Sequence, residues 1–373
     1  MKKILSVNDK KHLGLFIDFP HELFKNDPNY VPELFIAQRD MLTPGKHPFH
    51  EHSTLQLFLA YDDNRIVGRI AAIQNNSHNN TYKLNDGFFG FFDCINDQET
   101  ADLLISAASG WLLEKGMTRV VGPVNFSTND ICALLIEGFE GPPVVMMPYN
   151  PPYYLQLLEK AGFGKKVDLR AYKFTAGNYN DKSLRLTAAI QERLKRNRII
   201  IRKIDMKNFK NEVKSLREVY NKAWDSNLGF VPMTENEFDY LAKDLKLIMD
   251  PDFCFVAEQD GKLVGFALSI PDINQVLIKI KRGRLLPFGL IKLLLLKRKV
   301  KGLRLMALGV IDGYRKMGID ACLYGLTIKS FREKKYEYAE VSWTLEHNDL
   351  INKAIEQVNG EVYRKYRILE KAL

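Results

Sequence analysis

The sequence predicts an α/β protein of two similar domains in tandem, 1–180 and 181–373, each a mixed twisted sheet flanked by helices. Three observations carry that expectation. One pattern occurs twice: Phe58, Ala60, Val67 and Gly68 in FLAYDDNRIVG return as Phe255, Ala257, Val264 and Gly265 in FVAEQDGKLVG, at an offset of 197. Further on, Asn150 stands twelve residues before Gly162, and Asn348 twelve before Gly360, at an offset of 198. One ordered set of spacings held over so long a stretch points to two copies of one unit. The third observation is length: 373 residues are long for one core and comfortable for two.

Each element has its local reason. Leu55 to Tyr61 and Arg65 to Ile73 read as strands around the polar turn Asp62-Asp63-Asn64, a hairpin signal. Gly87 to Cys94 makes a third strand, and Glu99 to Lys115 carries apolar residues at helical spacing, ending at Gly116. Arg119 to Val124 and Val144 to Met147 read as further strands, and Pro151 to Ala161 as a helix closed by Gly162. A linking helix is expected over Ser183 to Arg196, where Leu184, Leu186, Ile190 and Leu194 punctuate good helix formers. The second half repeats the order: helix Val213 to Ala223, strands Phe253 to Gln259 and Leu263 to Ile270, and a strand Leu303 to Val310. Helix Ile319 to Lys334, strand Tyr338 to Leu345 and helix Asp349 to Val358 complete it.

With 46% hydrophobic and 27% charged residues, the composition is that of a folded globular chain, which excludes a disordered one. MKKILSVNDKKHLG has lysines but no apolar run, so no secretory leader is expected and the location expected is cytoplasmic. Cys94, Cys132, Cys254 and Cys322 lie far apart in apolar surroundings and read as buried free thiols. His47, His50 and His52 stand close together without a matching distant ligand set, so no metal is expected.

Charge is uneven. Residues 1–180 carry a net −3 and residues 181–373 a net +12, and Gln275 to Arg304 holds ten basic residues and no acidic one. A polyanionic partner is therefore expected near the second domain: a phosphate-rich cofactor, an anionic membrane or nucleic acid. Leucine content and the lack of interleaved aromatics weigh against nucleic acid. Leu285 to Lys299 places twelve largely apolar residues before Lys297-Arg298-Lys299, too few for the ~20 that cross a bilayer. Three readings stay open: an interfacial helix at a membrane surface, a lid over an acyl chain, or a helix packed between the domains, with burial or a lid preferred.

One turn distinguishes the copies. Arg315-Lys316-Met317-Gly318-Ile319-Asp320 follows a strand and opens a helix in the second half, whereas Asp93-Cys94-Ile95-Asn96-Asp97-Gln98-Glu99 stands in the first, acidic and without glycine. Order and turn together resemble the GNAT superfamily of acyl-CoA-dependent N-acyltransferases, whose turn pattern is [RQ]-x-x-G-x-[GA]. The resemblance implies acetyl-CoA or another acyl-CoA held by Leu308, Val310, Arg315, Lys316, Met317, Gly318, Ile319, Asp320 and Asn348, by the physics of anions at a helix start. Asp320 departs from the family's Gly or Ala. It implies a base for the acceptor amine, with Glu346 as first candidate and Asp312 as second, and an oxyanion site on backbone N–H groups near Leu308 to Val310. The family's Tyr on the last helix is Ile355 here, and Tyr363 and Tyr366 are its substitutes or buried packing.

The first copy then reads as a degenerate domain kept as scaffold or as one wall of the acceptor pocket. Acceptor-lining candidates are Trp224, Asn227 and Phe230, in an aromatic and polar loop, and Asn125 with Glu137, which read equally as turn chemistry with ordinary caps. The function implied is transfer of an acetyl or longer acyl group from CoA to a small-molecule or lipid amine. The alternatives are a long-chain or lipid amine acyltransferase at the membrane surface, and a protein that binds CoA or another ligand without turnover.

Overall fold

The computed structural model describes residues 1–177, 181–223 and 229–373, with backbone alone for 181–184. In chain order the elements are β1 (Lys2–Ser6), α1 (Lys10–Leu23), α2 (Phe35–Met41), β2 (Thr54–Asp62), β3 (Arg65–Gln74), α3 (Asn76–Tyr82), β4 (Asp86–Cys94), α4 (Gln98–Glu114), β5 (Arg119–Gly122), β6 (Leu134–Glu137), α5 (Tyr153–Lys160) and β7 (Gly164–Thr175). There follow α6 (Asp181–Arg196), β8 (Ile199–Lys203), α7 (Phe209–Ala223), α8 (Glu235–Lys246), β9 (Cys254–Gln259), β10 (Lys262–Pro271), α9 (Asn274–Leu277), α10 (Gly289–Leu296), β11 (Gly302–Val310), α11 (Ile319–Glu333), β12 (Tyr338–Leu345), α12 (Asp349–Gln357) and β13 (Glu361–Ala372).

Two compact units result. The first comprises Met1–Leu169, Val276–Leu296 and Arg364–Leu373, the second Arg170–Gln275 and Lys297–Tyr363. Two segments that the sequence division places in the second domain therefore fold with the first. The reason is hydrogen bonding and charge: Leu369 to Ala372 of β13 pair antiparallel with β5, and Arg367 and Tyr366 with β6, while Arg284 reaches Asp18 at 2.7 Å.

In the first unit the strands run β1-β2-β3-β4-β5-β13, with β4 and β5 parallel and β6 also on β13. Helix α4 buries Ala101, Leu104, Ile105, Ala108 and Leu112, one apolar stripe at helical spacing, against Phe58, Ala60, Val67 and Ile70. In the second unit the order is β12-β11-β10-β9-β8. Ile319, Cys322 and Leu323 of α11 and Leu194 of α6 pack on Phe255, Ala257, Val264 and Leu305. Val219 of α7 packs on Val256, Phe266 and Ala307. Gly325 lets α6 and α11 meet, since a Cβ there would run into the Thr187 side chain.

The twofold sequence pattern is a shared backbone feature. Ala60 faces Gly68 and Tyr61 faces Ile66, so Val67 is the extra residue of a bulge; Ala257 faces Gly265 and Glu258 faces Leu263, so Val264 is its counterpart. Each glycine admits the helix packed on its strand: a Cβ at Gly68 would meet Leu104 of α4 at 2.6 Å and one at Gly265 would meet Ile319 of α11 at 3.3 Å.

One expected strand is corrected. Val144 to Met147 is an irregular turn, with Met146 at φ 59°, and the strand in this region is Leu134–Glu137, whose Leu134 and Leu135 are buried. Four apolar residues in a row mark burial without fixing the backbone. All four cysteines are free and buried, and burial pushes the thiols of Cys254 and Cys322 up to about 12 and about 11.

Candidate active site

The parallel pairing of β11 and β12 runs from Gly302↔Tyr338 to Leu305↔Val341, although β11 continues to Val310 and β12 to Leu345. On its other edge β11 stays paired with β10 up to Val310↔Gly265. Among the described residues, then, the two central strands part after Leu305 and Val341, which leaves backbone groups of Met306 to Val310 facing a gap. Buried backbone donors seek partners, so such a gap suits a ligand that supplies carbonyls.

At the wide end of the gap, β11 passes through Ile311 to Met317 into α11. Gly318 is the residue before the helix, at φ 88°, with no side-chain cap, so the first N–H groups of α11 have no carbonyl partner within the helix. Lys316 is also left-handed, at φ 65°. Arg315 donates through Nε to the Val310 carbonyl at 3.2 Å and pairs with Asp312 at 3.0 Å. Asp320 is exposed in the first helical turn, where the helix dipole favours a carboxylate. Arg193 of α6 joins this group, donating to the Met317 carbonyl at 2.8 Å and lying 2.9 Å from where a Gly318 Cβ would be. No spacing in the sequence could have placed Arg193 here; the α6–α11 crossing at Gly325 does.

Arg193, Lys316, a left-handed glycine and a helix start stand at one turn, a set whose chemistry fits a pyrophosphate. The second-unit residues predicted from the turn motif are thus brought together, with Leu308 and Val310 on the parted strand. Asp312 is mostly exposed and paired with Arg315. Glu346 sits at the end of β12, mostly buried, with the His347 ring 3.5 Å away. Asn348 caps α12, accepting from the Ile351 N–H at 3.3 Å, while Asn352 accepts from Thr344 Oγ1 at 2.7 Å and donates to the Leu345 carbonyl at 3.0 Å. These bonds fix the strand end that carries Glu346.

Trp224 and Asn227 lie outside the described residues; Phe230 is buried with its ring 5.5 Å from that of Tyr220. Asn125 and Glu137 belong to the first unit: Asn125 accepts from the Phe91 N–H at 2.8 Å, and Glu137 pairs with Lys365 at 2.8 Å. Ile355 is buried on α12.

Sequence reasoning missed one polar cluster. Glu340 is fully buried at the last paired turn of β12, accepts from the hydroxyls of Ser342 and Tyr363, and stands opposite Arg304, whose Nε donates to Ser342 Oγ at 2.9 Å. The signal was the alternation Glu340, Ser342, Thr344 along one face of the strand. In the first unit the matching helix start is already neutralised: Asp97 caps α4, and Lys2 lies 2.6 Å from Asp97 and 2.7 Å from Glu99. The histidines near residue 50 are spent on structure, His50 on the Met41 carbonyl at 3.0 Å and His52 on Ser53 at 2.6 Å.

No family model matches the chain. It is 34% identical to Protein YghO of Escherichia coli (strain K12), over 98% of this chain and 94% of that one. It is 36% identical to the bacterial ceramide synthase of Caulobacter vibrioides (strain NA1000 / CB15N), over 99% and 97%. Among solved structures it resembles in fold a tandem GNAT protein from the clavulanic acid biosynthesis pathway, with TM-score 0.59 at 9% identity over 100% of this chain and 98% of that. A GCN5-related N-acetyltransferase from Sphaerobacter thermophilus gives 0.54 at 10% identity over 99% and 95%.

Proposed function

We propose a function from a plain premise: the chain belongs to the family of Protein YghO and the bacterial ceramide synthase, and it shares its fold with a tandem GNAT protein. The reading is an acyl-CoA-dependent N-acyltransferase whose second unit binds acyl-CoA and whose acceptor is a long-chain amine. The observation that carries it is the parting of β11 from β12 directly before the cationic turn at Arg315 to Asp320. The long-chain acceptor is favoured over a small polar one by the relative's name, since a ceramide is the amide of a fatty acid with a long-chain base.

CoA would supply an activated thioester carbonyl. The chain's own residues would bind and orient it. Arg193, Lys316 and the N–H groups at the start of α11 would hold the pyrophosphate, and N–H groups of Leu308 to Val310 would polarise the carbonyl oxygen. Glu346 takes the proton that an ammonium must lose before it can attack, directly or through one water. No hydroxyl stands at Ile355 to protonate the departing thiolate, and that of Tyr363 is donated to buried Glu340, so water would fill that role.

The test is thiol release from palmitoyl-CoA, followed with a thiol reagent, on adding sphinganine or a short primary amine. Release with sphinganine alone supports the reading. Release with the short amine alone replaces the acceptor, and CoA binding without release under any amine favours a binding protein. Neither binding nor release removes the reading.

A further inference from the structure

Between consecutive antiparallel strands β10 and β11 the chain makes a long excursion, Asp272 to Lys301, where a hairpin would need a few residues. Its root is held tightly to the first unit. Ile280 is buried, Arg282 pairs with Glu22 at 3.0 Å, and Arg284 pairs with Asp18 at 2.7 Å while its guanidinium lies 3.5 Å over the Phe35 ring. Gly283, at φ 61°, has the Glu33 carbonyl where a Cβ would be.

The tip held by this root is apolar and exposed. Leu286 is 79% exposed, Phe288 69%, Leu295 68% and Leu294 54%, with Leu290 and Ile291 also exposed. The expectation of burial is thereby corrected: these side chains face solvent. Helix α10, Gly-Leu-Ile-Lys-Leu-Leu-Leu-Leu, has only Lys292 as a charge and is eight residues long. No helix among the described residues is long and apolar enough to cross a membrane. Contiguous apolar surface of this kind is an interaction site or a liability.

Charge decides the occupant. Lys281 precedes the tip and Lys297-Arg298-Lys299 follow it directly in the chain; all are exposed and none has a carboxylate partner among the described residues. A second copy would bring the same cations against them and be repelled. An anionic lipid surface satisfies both features, with leucines below the headgroups and cations among the phosphates.

We propose that Leu285 to Lys299 is an interfacial anchor that docks the protein on anionic phospholipid bilayers. The proposal deepens the long-chain amine reading, because such an acceptor resides in a bilayer, yet it is tested without acyl-CoA or amine.

The full chain is sedimented with vesicles of phosphatidylcholine alone and of phosphatidylcholine mixed with phosphatidylglycerol, at low and high salt. Binding is expected to the anionic vesicles alone and to fall steeply with salt. Replacing Lys297, Arg298 and Lys299 together by Gln should weaken it on the order of a hundredfold. Leu294→Asp should abolish it with the melting temperature and CoA affinity unchanged, because that side chain is already in water. Absence of binding to anionic vesicles overturns the proposal, as does equal binding to neutral ones. Self-association lost on Leu295→Ser, without vesicle binding, replaces the lipid with a second copy. A drop in melting temperature for Leu294→Asp alone returns the segment to the interior, and the triple Gln variant then still reports on the cations.

Discussion

Gly318→Val should separate cofactor binding from folding. Gly318 sits at φ 88°, where a β-branched residue is strained by on the order of 1–3 kcal/mol. The new Cβ would lie 2.9 Å from Arg193 Nη2 and 3.2 Å from Ile190 Cγ2. The arginine can swing away, but it then gives up its bond to the Met317 carbonyl. A turn that relaxes to escape the strain must be restored when pyrophosphate binds, so the strain reappears as lost affinity, roughly fivefold to a hundredfold. Arg193→Ala removes the cation without touching the backbone and should weaken binding about tenfold, a charged hydrogen bond's worth of ~1.5 kcal/mol. Calorimetric titration of the full chain with CoA measures both, and melting temperatures show whether each variant is folded. If wild type binds CoA and folded Gly318→Val binds equally well, the turn does not hold the pyrophosphate.

Glu346→Gln should lower acyl transfer by about 10²–10⁴-fold and flatten its rise with pH, with CoA affinity unchanged; an unaltered pH profile would move the base to Asp312. Glu340→Gln, which leaves one of two hydroxyl donors facing an amide N–H, should destabilise by about 1–3 kcal/mol, seen as a lower melting temperature. Burial holds the His21 imidazole down to about 3, with help from the charges of Arg69, Arg282 and Arg284. A depressed base is neutral when folded and takes up a proton only on unfolding. Its stabilisation is therefore present above the ordinary histidine range and lost as pH falls from there toward 3, with a slope of up to about 1.4 kcal/mol per pH unit. Denaturant titrations at pH 4 to 6 should show that slope in wild type and a shallower one in His21→Gln.

Strong periodicity and turn chemistry made most of this fold legible. Tyr338–Leu345 coincides with its expected strand, and α4, α7, α11 and α12 fall within a few residues of expectation. The bulge was legible in disguise, because the repeated Val-Gly pair is the extra residue and the glycine behind it. What was not legible was non-local. Ile199–Lys203 and Glu361–Ala372 became strands through partners far away in sequence. Arg193 reached the turn by helix crossing, and the role of Glu340 follows from standing opposite Arg304 and beneath Tyr363. For Leu285 to Lys299 the composition left burial open, and accessibility decided against it.

The residues that close the first unit are made after all those of the second. Tyr366 and Leu369 are fully buried, and Leu369 packs with Phe89, Leu104 and Leu158, residues synthesised long before it. Domains usually fold in the order they leave the ribosome. Here the first unit must wait, one sheet edge beside β5 unpaired, until β13 is released. A premature stop near residue 363 would therefore spare every residue of the second unit and cripple the first, so the codons for 364–373 guard residues 1–169.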